Sequence, residues 1–172
     1  MLESLITSKT RLRLLIKFFV NSQTQSHLRG LAEEFGESTN SIRKELNNLT
    51  EAGILVKHNE KNKIAYQANV SHPFFTNIQD IIRKYLGLDK LLEQILDRMG
   101  EVSQVVLVGD IAKGIDAGKI EVVVTGENLN DAYIIYLTTR IEELIDRKVV
   151  LTLLSERLNS VGMVLFDKET GK

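Results

Sequence analysis

Apolar residues recur at helical spacing through the first fifty positions, then alternate, then return to helical spacing, and from residue 103 run in unbroken blocks. Between Ser8 and Phe19, Leu12, Leu15, Ile16 and Phe19 fall on one helix face, with Arg11, Arg13 and Lys17 elsewhere around it. A shorter helical pattern runs from Ser26 to Phe35 through Leu28, Leu31 and Ala32, and Gly36 follows it, as a helix end prefers. Ser38 stands where it can cap a third helix, "TNSIRKELNNLTEA", which Gly53 ends. The period then changes: "ILVKH" and "KIAYQA" alternate like strands, and "NEKN" between them suits a hairpin turn.

Ser71 and Pro73 open another helical segment, whose stripe is Phe74, Ile78, Ile81, Ile82 and Tyr85. Gly87 permits a bend, after which "LDKLLEQILDRM" continues with Leu88, Leu91, Leu92, Ile95 and Met99. The blocks that follow read as buried strands, "SQVVLVG" and "KIEVVVTG", a helix, "NDAYIIYLTTRIEELIDR", and further strands, "KVVLTLL" and "VGMVLFD". Strands alternating around a helix predict a small mixed α/β sheet. The fold class expected is therefore α+β. Its parts are a domain over 1–70, a helical connector over 71–100 whose stripe is a candidate dimerisation surface, and a small sheet domain over 101–172.

Composition narrows this little. The 172 residues are 43% hydrophobic and 26% charged, with one Pro and no Cys. This is ordinary globular composition, without a disulfide framework or a thiolate metal site. The longest apolar runs are too short to span a bilayer, and the first ten residues lack a signal-peptide pattern, so a cytoplasmic protein without membrane attachment is expected. Residues 1–70 hold ten Lys/Arg against seven Asp/Glu, a net +3, and the remainder holds twelve against sixteen, a net −4. The first part is mildly basic, as a nucleic-acid-binding module is.

The third helix carries the sharper signal. With Ile42, Leu46 and Leu49 turned inward, the opposite face presents Asn40, Lys44 and Asn47, with Arg43 at its edge. Amides and a guanidinium suit base edges in a major groove, where bidentate contacts discriminate sequence. On the hairpin, Lys57, Lys61 and Lys63 can neutralise phosphates or simply keep an edge strand soluble. "TSKTRLRLLIKFF" and "LRGLAEEFGESTNSIRKELNNLTEAGILVKH" resemble the opening helix and the helix-turn-helix of the ArsR-like winged-helix regulators, over roughly residues 5–70. That resemblance implies a DNA-binding transcriptional regulator, usually dimeric. The partners expected are double-stranded DNA and a second copy.

The stretch "VVLVGDIAKGIDAGKIEVVVTG" looks like the minimal nucleotidyltransferase domain, whose strand-turn-strand reads G-S-x-A-x-G, a short loop, then S-D-x-D. Gly109, Ala112 and Gly114 fall at the matching places. In the active family two carboxylates two residues apart hold Mg²⁺, which neutralises the nucleotide triphosphate. Here those positions read Lys119 and Glu121, the Ser reads Asp110, and the third-strand acid falls on Val150. The expectation is a former enzyme with no cofactor and no metal, in which Asp110 and Lys119 pair across the turn. This domain would then serve assembly, or sense a ligand or protein partner. The rival readings are a working metal-dependent nucleotidyltransferase targeted by its winged helix, and an adaptor that binds protein. His27, His58 and His72 are too scattered to read as a metal site.

Overall fold

The computed structural model describes residues 2–158 and 162–171. It is a mixed α+β structure that divides into two compact units, Met1–Ile82 and Arg83–Lys172. The break falls inside one helix, so the stretch read as a connector is shared between the two units.

In the first unit a short helix α1 (Leu2–Leu5) precedes α2 (Lys9–Phe19). Ser8 caps α2, its hydroxyl oxygen accepting from the Arg11 backbone N–H at 3.1 Å. A two-residue strand β1 (Ser26–His27) leads into α3 (Leu28–Phe35), where the periodicity predicted helix from Ser26. The difference has a local cause: His27 is extended, and Ser26 and His27 pair with Tyr66 and Ala65. Gly36 ends α3 in the left-handed region at φ 64°, and Ser38 caps α4 (Thr39–Glu51) by accepting from the Ser41 N–H. Strands β2 (Leu55–Glu60) and β3 (Lys63–Ala68) form a hairpin with a turn at Lys61 and Asn62, and the sheet order is β1-β3-β2, all antiparallel.

The core of this unit joins Leu14, Phe18 and Phe19 of α2 to Leu31 of α3, Ile42 and Leu46 of α4, and Leu55 and Ala65 of the hairpin. Helix α2 is buried almost all round from Leu14 to Phe19, more completely than its predicted stripe. Even Lys17 is covered, with its ammonium on Glu34 of α3 at 2.7 Å. Helix α5 (Phe75–Leu86) begins two residues after Pro73, and its Phe75 ring lies 5.5 Å from that of Phe19. Its expected stripe is split: Ile82 is buried, Ile78 and Tyr85 are half-buried, and Ile81 and the preceding Phe74 are exposed.

In the second unit α6 (Leu88–Arg98) buries Leu88, Leu91 and Ile95. Strand β4 (Glu101–Val108) leads through α7 (Gly109–Ala112) into β5 (Lys119–Glu127), and the two strands are antiparallel. A 3-10 turn at Asp131–Tyr133 precedes α8 (Ile134–Ile145), which crosses over to β6 (Lys148–Leu154), parallel to β5. Strand β7 (Met163–Asp167) then pairs antiparallel with β4, giving the order β6-β5-β4-β7. Val161, the first residue of the run that predicted this strand, lies outside the described residues. Val105 and Leu107 of β4 and Ile120, Val122 and Val124 of β5 are buried together with the inward faces of α6 and α8. The α6 stripe is thereby used up within its own unit.

Candidate nucleic-acid interface

Helix α4 is held by its apolar side, so what remains outside is polar. Ile42, Leu46 and Leu49 are buried, while Asn40, Arg43 and Lys44 are exposed and Asn47 is half-buried. Arg43 reaches back one turn and donates to the Asn40 amide oxygen at 3.4 Å, a long contact that leaves the guanidinium largely available. Between α4, the start of α3 and the β2–β3 hairpin lies an open groove of about 770 Å³, lined among others by Arg29, Arg43, Asn47, Lys57, Lys63 and Tyr66. Of the residues read from sequence as DNA-binding, Arg43, Asn47, Lys57 and Lys63 therefore come together. Asn40, Lys44 and Lys61 are exposed beside the groove without lining it. Lys61 sits at the hairpin tip with φ 48°.

The electrostatics of this face come from where its acids have gone. Glu34 is taken by Lys17 at 2.7 Å, Glu37 by Arg13 at 3.0 Å and Glu45 by Arg11 at 2.8 Å, all bases of α2. Among the described residues Arg29, Arg43, Lys44, Lys57, Lys61 and Lys63 make no ion pair. Glu60 meets His27, itself a lining residue of the groove, at 3.0 Å. The groove floor is the buried ring of Tyr66, with the Lys57 ammonium 6.0 Å from its centroid. Burial pushes the Tyr66 hydroxyl up, and the Arg43 charge offsets part of that rise.

Arg29 and Tyr66 were missed by sequence reasoning. Arg29 is the sole Lys or Arg between Lys17 and Arg43, a signal that could have found it. Tyr66 carries none, because only the antiparallel pairing of β3 with both β1 and β2 brings it into the groove that Arg43 and Asn47 also line.

The other constellation lies in the second unit. Gly109 opens α7 at φ 69°, and a Cβ built there would stand 2.1 Å from Oε2 of Glu121, so the Glu121 carboxylate packs directly on the glycine. Val108 and Val150 flank Glu121 on the neighbouring strands. The expected pair between Asp110 and Lys119 is not made: the Lys119 ammonium is 2.9 Å from Glu121, and Asp110 is exposed. The reason is strand geometry, since residues 119 and 121 project to one face of β5 within reach of each other, while Asp110 projects from α7. This donor set does not fit Mg²⁺, which demands several oxygen ligands. It offers one carboxylate, already held by an ammonium, opposite a valine. Among the described residues there is no group of three or more His, Asp or Glu able to hold a metal.

Among the described residues no helix is long and apolar enough to cross a membrane. No curated protein and no solved structure matches the chain. Residues 11–60, from α2 to the end of β2, match the family model of the DeoR-like helix-turn-helix domain, whereas the sequence motifs resemble the ArsR-like regulators. This stretch carries α3, the turn at Gly36 and α4 with its outward Arg43 and Asn47, and the helix-turn-helix domain supports a DNA-binding regulator.

Proposed function

We propose that this protein is a cytoplasmic transcriptional regulator that binds double-stranded DNA as a homodimer through a winged helix, with ArsR-like features over residues 5–70. Helix α4 enters the major groove, and the β2–β3 hairpin is the wing. Arg43 and Asn47 read base edges, while Lys57, Lys61 and Lys63 meet phosphates. The observation that carries this reading is the sorting of charge: the acids Glu34, Glu37 and Glu45 are bound to α2, while Arg29, Arg43, Lys57 and Lys63, without an ion pair among the described residues, line one groove. The order β1-β3-β2 around three helices agrees with a winged helix. Paired half-sites about one helical turn apart are expected for a dimer. The test is selection of bound fragments from fragmented genomic DNA with the purified protein. Recovery of a shared, two-fold symmetric motif supports the reading, and recovery of random sequence rejects it.

The second unit is proposed to be a nucleotidyltransferase-like domain without catalysis, kept for assembly or for sensing a ligand or protein. Its strand-turn-strand, the crossover through α8 and the parallel β6 agree with that ancestry. The Lys119–Glu121 pair and Val150 in register with Glu121 argue for loss of the metal chemistry.

A further inference from the structure

Strand β6 is an edge of its sheet, and its sequence protects it poorly. From Val149 to Leu154 there is no charge, proline or glycine. Edge strands ordinarily carry such features to prevent pairing with other chains. The opposite edge is guarded: the β4–β7 ladder shifts register between Val105 and Val106, and Asp167 at the end of β7 is ion-paired with Arg157. On β6, Val150 is 44% exposed and Leu154 41%.

The direction of the backbone groups narrows what can pair there. The Lys148 N–H donates to the Gly118 carbonyl oxygen, toward β5. Backbone groups alternate along a strand, so Val149, Leu151 and Leu153 direct theirs to the free edge. The Val149 N–H is already taken by the Glu142 carboxylate of α8 at 2.9 Å. Among the described residues Leu151 and Leu153 are left as the unoccupied rungs.

We infer that β6 pairs antiparallel with β6 of a second copy of this chain about a two-fold axis through Thr152, which continues the sheet across the dimer. This deepens the homodimer part of the proposed function. In that register Leu151 lies opposite the second copy's Leu153, and these residues exchange the free rungs with each other. Val150 lies opposite Leu154, so the exposed apolar side chains of β6 cover one another. Lys148 falls opposite Glu156, and Thr152 meets itself in a non-hydrogen-bonded pair. A register centred on Leu151 instead sets Val149, whose N–H is occupied, against Leu153 and Lys148 against Leu154. The flank of α8 agrees. Ile135 stands seven residues before Glu142, on the same side of the helix, and is 79% exposed, the largest value among the exposed large apolar residues described. The same axis brings the two α8 flanks alongside each other on one face of the continued sheet.

The chain has no cysteine, so a single introduced thiol reports the register. Thr152→Cys places two Cα atoms about 4.5 Å apart across the axis, within disulfide reach. Val150→Cys leaves its two copies roughly 13 Å apart. Under mild oxidation Thr152→Cys should give a covalent dimer on a non-reducing gel, Val150→Cys should not, and Val150→Cys combined with Leu154→Cys should. Thr152→Lys, at an exposed side chain, should raise the dimer dissociation constant at least tenfold in sedimentation, with an unchanged circular dichroism spectrum. A wild-type monomer at high micromolar concentration overturns the inference. So does a dimer that is indifferent to Thr152→Lys and not linked through Thr152→Cys, which would leave the second copy to Phe74 and Ile81. A protein that selects no DNA but still links through Thr152→Cys sinks the regulatory reading and leaves this interface standing.

Discussion

Arg11 of α2 donates from Nε to Glu45 of α4 at 2.8 Å, while Ser8 donates to the same carboxylate at 2.7 Å. Burial pushes the Glu45 carboxyl up, but these hydrogen bonds and the Arg11 charge outweigh it and hold the group below its ordinary range. The contact ties α2 to α4 and removes an acid from the helix that carries Arg43. Glu45→Ala should therefore destabilise the fold by about 1–3 kcal/mol, because it strips two charge-assisted hydrogen bonds from a buried site. Denaturant unfolding of the variant checks it, and a midpoint equal to the wild type would show that α4 is held by its apolar side alone.

Arg43 and Lys63 line the same groove but should fail differently when removed. Arg43→Ala is expected to weaken binding to the selected operator by about 1–3 kcal/mol and to relax preference at one base pair. Lys63→Ala should weaken all sequences alike and lower the slope of log affinity against log salt by about 1. Titrations of operator and scrambled DNA over a salt series separate the two. Equal losses on both DNAs for Arg43→Ala would remove it from base reading.

The Lys119–Glu121 pair predicts silence toward nucleotides. Wild-type protein with labelled ATP, CTP, GTP or UTP and Mg²⁺ or Mn²⁺ should transfer no label to protein or RNA acceptors. Its melting temperature should not rise with Mg²⁺-ATP, since a ligand stabilises only through affinity for the native state. Lys119→Asp with Asp110→Ser should restore oxygen donors without turnover, as Val150 still supplies none. Label transfer abolished by Glu121→Gln would reveal a working site.

Asp167 should set the acid limit of the second unit. Arg157 beside it, joined by the backbone N–H groups of Glu169 and Thr170 and the amide of Gln104, brings its carboxyl down from 3.8 to about 2. A depressed folded value means that the contribution is fully present above about pH 3.8 and is lost as pH falls through about 2. Asp167→Asn should lower stability at neutral pH and flatten this acid dependence. Thermal melts from neutral pH down to pH 2 test it, and parallel curves for wild type and variant would reject the assignment.

Element types were legible wherever the residues agreed with one period. The inward set Ile42, Leu46 and Leu49 and the caps at Gly36 and Ser38 were readable because spacing and capping are local properties. The helical reading of Ser26 and His27 was overridden by pairing with β3, a contact some forty residues away in sequence. The continuous stripe expected from Phe74 to Met99 was divided because α6 is consumed by its own sheet, while Phe74 and Ile81 remain outside.

By itself the sequence determined the helix-turn-helix and the outward face of α4, since each depends on residue type at short spacing. Tertiary structure decided the rest. It set Tyr66 and Arg29 against α4 to form the groove, withdrew Glu34, Glu37 and Glu45 onto α2, and gave Lys119 to Glu121 rather than to Asp110. It also left β6 at a sheet edge, with the backbone groups of Leu151 and Leu153 directed away from β5. Charge pairing and edge position depend on which segments meet in space, and helical or strand periodicity carries no record of that.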